Sequence, residues 1–128
     1  MNYCFNKVTD LPFEMAVEKV KGGLRQEGFG VLTDIDVQTT LRQKLGVDFR
    51  KYRILGACNP AFAHQALQAE SRIGTMLPCN VVVQELPDGK TEVAAINPLV
   101  NMQQVGNPRL EPLGAQVAAR LQTIVEHL

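Results

Sequence analysis

The sequence predicts a single α+β domain in which an antiparallel or mixed sheet carries its helices on one face. The chain has 128 residues, a size typical of one domain. Short apolar runs rich in strand-forming residues alternate with stretches in which apolar residues recur every three or four positions. In chain order these segments predict strand, helix, strand, short helix, strand, helix, strand, strand and helix. Such an order is typical of an α+β fold.

The first strand is predicted over residues 3–8, and the helix after it begins near Asp10 and ends at Gly28. Asp10 is suited to cap this helix because a proline and a glutamate follow in the expected first turn. The buried face of the helix is predicted to consist of Phe13, Val17, Val20 and Leu24. The Gly22-Gly23 pair lies within this pattern and costs about 2 kcal/mol of helix propensity relative to two alanines. It indicates either a bend or another backbone packed close to the helix.

A second strand is predicted from Phe29 to Ile35, and a short helix follows it. One face of the strand is predicted to comprise Val31, Thr33 and Ile35. Asp34 and Asp36 then share the other face, where two carboxyl groups suggest an acid/base or metal pair. Asp36 also stands where the N-cap of the short helix is expected, and that role explains it without chemistry. The stripe and end of the short helix are Val37, Leu41, Leu45 and Gly46.

A third strand leads to Cys58, and the next helix begins at Asn59-Pro60. Asparagine is a preferred N-cap, and proline at the first helical position loses no hydrogen bond. This helix is predicted to end at Gly74, and its inward face is Phe62, Ala66, Ala69 and Ile73. His64 lies on the opposite face, so we expect an exposed histidine there rather than a ligand.

Residues 78–86 form the most apolar strand, and its run of three valines indicates burial on both faces. An Asp-Gly turn then predicts a hairpin with a return strand over residues 91–96. The closing helix starts near Pro112, and its apolar stripe is Leu113, Val117, Leu121, Ile124 and Leu128. Between the return strand and the closing helix, the apolar residues of the amide-rich segment 97–106 recur with no clear period, and we expect a flexible loop there.

Composition and charge exclude several classes of protein. Thirteen basic and thirteen acidic side chains give no net charge, which argues against a general binder of nucleic acid or of anionic membranes. No apolar run approaches the roughly 20 residues that span a bilayer, and the first residues do not resemble a secretory signal. Three cysteines are too few for a disulfide scaffold, so we expect a cytoplasmic protein with reduced thiols.

The charged residues are unevenly distributed along the chain. Residues 1–53 hold sixteen of the 26, whereas residues 54–84 hold two and residues 93–108 hold none. Charged residues are the ones least often buried. The two charge-poor stretches therefore indicate core, an interface or an apolar pocket.

Two similar motifs stand out, Cys58-Asn59 before a predicted helix and Cys79-Asn80 at the start of a predicted strand. If the two strands are antiparallel neighbours, both cysteines face a common site, whereas a parallel pair places them at opposite ends. The helix N-terminus favours a thiolate at Cys58, and both asparagines can donate hydrogen bonds to a bound anion or carbonyl. Structural roles also fit, because cysteine is often buried and Asn59 serves as a cap.

Two cysteines fall short of the usual four-ligand zinc set, and the chain contains no Cys-x-x-Cys motif. Met102 would add a third soft ligand for a monovalent copper ion held by Cys58 and Cys79. A soft metal ion is the one cofactor these residues suggest, and nothing in their spacing requires it.

A family resemblance is found in three segments, Gly30–Val37, Ile54–Leu67 and Gly74–Val83. The last two contain the motifs Cys-Asn-Pro at 58–60 and Leu-Pro-Cys-Asn at 77–80. Together they resemble the bacterial family called domain of unknown function 302, over nearly the whole chain. The resemblance implies a fold like that of the TATA-box-binding protein. That fold is a curved, mainly antiparallel five-stranded sheet with helices on one face, often found as a dimer. The resemblance implies no catalytic residue, and a fold of this name does not imply DNA binding.

The sequence thus predicts a homodimeric, non-enzymatic domain that binds a small ligand or a protein partner on its concave, charge-poor surface. The predicted site comprises Cys58, Asn59, Cys79, Asn80 and Met102. The alternative is a thiol protein, either redox-active or holding a soft metal ion between the two cysteines. A third hypothesis is a dimerisation module in which residues 97–106 pack against the same segment of a second copy.

Overall fold

A computed structural model describes residues 2–128 of the chain. Its strands and helices are, in order, β1 Cys4–Thr9, α1 Phe13–Gln26, β2 Gly30–Asp36, α2 Val37–Leu45, β3 Tyr52–Cys58, α3 Pro60–Ala69, a 3-10 helix Ser71–Met76, β4 Cys79–Glu85, β5 Thr91–Ile96, α4 Pro98–Val105 and α5 Glu111–Glu126. Within residues 2–128, no helix combines the length and the apolarity needed to cross a membrane.

The five strands form one sheet in the order β1-β5-β4-β3-β2, and every neighbouring pair is antiparallel. Strands β2 to β5 follow one another in both sequence and space. Strand β1 lies at the far edge and pairs with β5, where Phe5 faces Ala95. This arrangement confirms the predicted five-stranded antiparallel sheet of an α+β fold.

The main core lies between one face of the sheet and the helices α1 and α5. The predicted inward residues of α1 are buried, as are most of those of α5. In β4, Val81 and Val83 point into this core and are almost completely buried. Val82, on the opposite face, is half-buried, so the prediction of burial on both faces is wrong at that position.

The local chemistry of the helix ends explains most element boundaries. The Asp36 carboxylate accepts a hydrogen bond from the Thr39 N–H (3.0 Å) and caps α2, as predicted. Gly28, with φ +86°, follows the end of α1, also as predicted. Asp10 does not cap α1, since Pro12 occupies the N-cap position and no side chain accepts a hydrogen bond there. The N-cap of α1 thus lies two residues later in the chain than the sequence pattern predicts.

A β-bulge in β2 changes which side chains share a face. Val31 is the partner of Ala57, yet Thr33 is the partner of the next residue back along β3, Gly56, so the register shifts at Leu32. Val31 packs against the core, whereas Ile35 is exposed on the other face. The prediction that Val31, Thr33 and Ile35 share one face is therefore wrong, because an extra residue in a strand reverses the alternation after it.

Residues 97–106 form a capped helix rather than the expected flexible loop. The Asn97 side chain accepts a hydrogen bond from the Leu99 N–H (3.2 Å), Pro98 occupies the first turn, and Gly106 ends α4 with φ +76°. Helix α4 packs against α5, which supplies the support that its short length cannot.

The helix predicted to run to Gly74 also differs. Helix α3 ends at Ala69, and the chain continues as a 3-10 helix in which Ile73 is still buried.

Candidate functional site

The two cysteines of the predicted site lie on adjacent strands because β3 and β4 are antiparallel neighbours. Ala57 is the Cα partner of Cys79, so the end of β3 lies beside the start of β4. Cys58 and Cys79 line one cavity, and Met102 of α4 lines it as well. The two strands are thus antiparallel neighbours, and Met102 comes from a helix that the sequence did not predict.

The N-terminus of α3 positions Cys58. The Asn59 side-chain oxygen accepts a hydrogen bond from the Phe62 N–H (3.5 Å), and Pro60 is the first helical residue. This cap engages the Asn59 oxygen, so that oxygen already has a structural partner. Asn59 and Phe62 both line the cavity beside Cys58.

Two glycines allow the walls of the site to approach closely. A Cβ atom added at Gly56 would overlap the Thr33 hydroxyl and would lie 2.8 Å from Cγ of Pro78. A Cβ atom added at Gly114 of α5 would lie 2.9 Å from Sδ of Met102. The absence of a side chain at these two glycines therefore lets Pro78 pack closely against β3 and Met102 pack closely against α5.

We call the cavity lined by Cys58, Cys79 and Met102 the inner cavity. Its volume is about 30 Å³. Most of its wall is apolar and comes from the sheet, α3 and α5, including Ala57, Phe62, Ala66, Leu113 and Val117. Met102 also belongs to a small apolar cluster with Ala66. This volume is sufficient for a single water molecule or ion and far below the roughly 300–1,000 Å³ of organic-ligand pockets.

A second and larger space, which we call the outer cleft, lies on the other side of Cys79 and Met102. Its volume is about 310 Å³. Asn80, Asn101 and Thr75 supply polar groups, and no charged side chain among residues 2–128 lines it. All of its lining residues belong to the two charge-poor stretches of the sequence, 54–84 and 93–108.

The predicted site is therefore divided between two spaces. Cys58 and Asn59 lie on the inner cavity, Asn80 lies on the outer cleft, and Cys79 with Met102 forms the wall that both share. Sequence reasoning missed Asn101 and Thr75. The amide-rich composition of residues 97–106 pointed towards Asn101, whereas no local signal marked Thr75.

Burial controls the ionisation of Cys79. Only 8% of this residue is exposed. Burial, followed by the nearby Cys58, raises the pKa of the Cys79 thiol to about 11, so it is protonated at neutral pH. Within residues 2–128, no three side chains of the His, Cys, Asp or Glu types stand close enough together to hold a metal ion.

The acidic residues of β2 lie in a different part of the molecule and have structural partners. Asp34 accepts a hydrogen bond from Arg53 Nε (2.7 Å) and forms an ion pair with Lys21 of α1 (3.0 Å). The hydrogen bond from Arg53 is the main reason that the pKa of Asp34 falls to about 2. Asp36 caps α2, and its backbone hydrogen bond from Thr39 lowers its pKa. Neither carboxyl group is free for acid/base chemistry.

The family comparison agrees with the resemblance found in the motifs. The model of the family described as domain of unknown function DUF302 matches residues 5–128. The chain belongs to this DUF302 family. It is similar to the crystal structure of an uncharacterized conserved DUF302 protein from Bacillus stearothermophilus, with 28% identity, 98% of each chain covered and a TM-score of 0.91. No curated protein matches the chain. The DUF302 fold is thus established here, whereas the comparisons assign no activity to it.

Proposed function

We propose that this protein is a non-enzymatic binding domain whose outer cleft takes a small, uncharged organic molecule. The observation that carries the proposal is the cleft itself, about 310 Å³ in volume and built entirely from charge-poor stretches. That volume is at the lower end of the range for organic-ligand pockets.

The chemistry of the cleft favours a neutral ligand with an apolar body and one hydrogen-bonding group. Ile96, Leu77 and Pro98 give apolar contact area, while Asn80 and Asn101 carry amides that both donate and accept. A charged ligand would lose its hydration without gaining an opposite charge, which is costly. The buried Cys79 thiol is protonated and adds no charge to the wall.

The test is a nuclear magnetic resonance titration with three matched probes: benzamide, benzoate and benzylammonium. We expect benzamide to shift the amide signals of residues at the cleft, with a dissociation constant of about a millimolar for so small a probe. The two charged probes should bind at least about tenfold more weakly, since their desolvation is not compensated.

A pair of variants on the same helix locates the binding. Asn101→Leu removes one of the two cleft amides at similar volume and should weaken benzamide binding, whereas Gln103→Leu removes an exposed amide that does not line the cleft and should leave binding unchanged. Shifts scattered away from the cleft, or equal binding of benzoate and benzamide, would contradict the proposal.

A further inference from the structure

The face of the sheet opposite α1 and α5, which we call the open face, lacks the polar surface expected of a solvated sheet. A row of paired residues crosses it from strand to strand, namely Ile35, Ile54, Val82, Ala94 and Asn6. All but the last are apolar, whereas the solvated face of an antiparallel sheet is normally polar. Ile54 and Val82 belong to neither of the apolar clusters found within residues 2–128. The row is thus an apolar surface outside the core.

Charge is almost absent from the open face. Among the residues of the described strands that point to this side, Glu92 is the only charged one, although a fifth of the chain is charged. The Glu92 carboxylate accepts hydrogen bonds from Gln84 (2.9 Å) and Asn6 (3.3 Å). Gln84 in turn accepts a hydrogen bond from Arg50 (2.8 Å). Covering the face therefore leaves the one carboxylate with its hydrogen-bond donors.

We propose that the open face is the interface of a dimer of this chain, in which two sheets pack face to face about a two-fold axis. An apolar surface that is poor in charge is typical of protein interfaces. An interface between identical copies has to be complementary to itself under a two-fold rotation. The open face meets this condition, because the apolar row crosses the middle of the strands and polar side chains stand on both sides of it, Asn80 and Gln84 in β4.

The size of the open face is sufficient for a weak, specific dimer. Its five strands span about 24 Å across the sheet, and six residues span about 20 Å along it. Two such faces together bury about 1,000 Å², which is the lower limit for a specific interface. A groove of about 500 Å³ lies along the face and is lined by Val82 and Ala94. Twisted sheets that stack fill such grooves with side chains of the opposite sheet.

Val82 stands at the centre of the open face. It is the fourth of the seven residues of β4, and β4 is the middle strand of the five. A two-fold axis through the centre of the face therefore places Val82 opposite the same residue of the second copy. A charge introduced here loses its hydration and meets an identical charge across the axis.

The experiment measures the molar mass of the protein in solution by sedimentation velocity as a function of concentration. The parent protein should pass from monomer to dimer in the micromolar range, as the small interface implies. Val82→Lys and Val82→Glu should each weaken dimerisation at least about a hundredfold, because two like charges are buried together. An equimolar mixture of the two variants should dimerise again, since opposite charges then face each other across the axis.

Met15→Glu is the matched control. Met15 is 58% exposed on α1, on the helix side of the sheet, and its replacement introduces the same charge as Val82→Glu. We expect this variant to dimerise like the parent protein. Circular dichroism and urea unfolding check the fold of each variant. If a Val82 variant does not fold, Ile35→Glu on the exposed edge strand takes its place and should weaken dimerisation at least about tenfold.

Several results would overturn the proposal. They are a parent protein that stays monomeric throughout the micromolar range, dimerisation that persists in both Val82 variants, a mixture of these variants that stays monomeric, and loss of the dimer in Met15→Glu. The dimer does not depend on the outer cleft. Asn101→Leu should weaken benzamide binding and leave dimerisation unchanged, since Asn101 lies on α4 and not on the open face. The failure of one proposal can thus be told from the failure of the other.

Discussion

Asp34 connects three elements of the fold, and replacing it with asparagine tests how much that connection contributes to the free energy of unfolding. Its carboxylate on β2 accepts hydrogen bonds from both Nε and a terminal nitrogen of Arg53 on β3, and it pairs with Lys21 on α1 at 3.0 Å. Asp34→Asn keeps the size of the side chain but removes the charge that holds both cations. We expect the folded state to be destabilised at neutral pH.

The magnitude follows from the lowered pKa. A change from 3.8 to about 2 corresponds to an upper limit of about 2.4 kcal/mol, at about 1.36 kcal/mol for each pKa unit. The Asp34 side chain remains 26% exposed, and solvent screens such pairs strongly. We therefore expect a loss of about 1 kcal/mol in the free energy of unfolding. For a domain of this size, that loss lowers the melting temperature by about 3–5 °C.

The pH dependence gives a sharper test than the magnitude. Because the folded pKa of Asp34 lies below its unfolded value of 3.8, its stabilisation is complete above about pH 4. The stabilisation is lost as the pH falls towards the folded pKa of about 2. Urea unfolding of the parent and Asp34→Asn at pH 7, 5, 4 and 3 should show a constant difference that begins to shrink below about pH 4.

Asp48→Asn is the control, because the Asp48 side chain is fully exposed and lies 3.9 Å from Arg42. We expect it to change stability very little. Equal losses in the two variants, or a difference for Asp34→Asn that does not diminish in acid, would refute the reasoning.

Three further predictions concern backbone crowding and thiol burial. Gly56→Ala should destabilise by about 1–3 kcal/mol in urea unfolding, since its new Cβ overlaps two neighbouring side chains; unchanged stability would contradict the close packing. Gly22→Ala should stabilise the folded protein by about 0.5–1 kcal/mol, because nothing lies within 4 Å of the added Cβ. Gly23→Ala should stabilise it less, because its Cβ lies 3.1 Å from a side chain of α5. The reverse order of melting temperatures would be inconsistent with the packing of α1 on α5. Cys79 should resist thiol reagents at pH 8 until the protein is unfolded, as measured by mass mapping of modified peptides; rapid modification of the folded protein would show that its burial and raised pKa are wrong.

The parts of the fold that sequence predicts well are those determined by neighbouring residues. Asp36 and Asn59 cap their helices as predicted, and the valines of β4 lie in the sheet as predicted. The glycine pair in α1 predicts a bend or a close backbone. The close neighbour is instead a side chain, Ile124 of α5.

What the sequence could not predict depends on distant contacts. The bulge at Leu32 has no local marker, so the sequence pattern predicts the wrong face for part of β2. Helix α4 has only eight residues, and its stability comes from packing against α5 rather than from its own propensity. Strand pairing lets the sequence predict that Cys58 and Cys79 lie on adjacent strands. The division of the site into an inner cavity and an outer cleft depends on the position of α4, which the sequence does not predict.

The position of β1 at the edge beside β5 has a consequence for synthesis on the ribosome. The first strand is made early, but the strand with which it pairs begins only at Thr91. At about 5–20 residues per second, the roughly 80 residues between the two strands take about 4–16 s to add. Strands β2 to β4 can pair as they emerge, because each lies next to its predecessor in the chain. During that interval β1, with its apolar Phe5, has no native strand to pair with, and it is therefore open to pairing with a wrong strand.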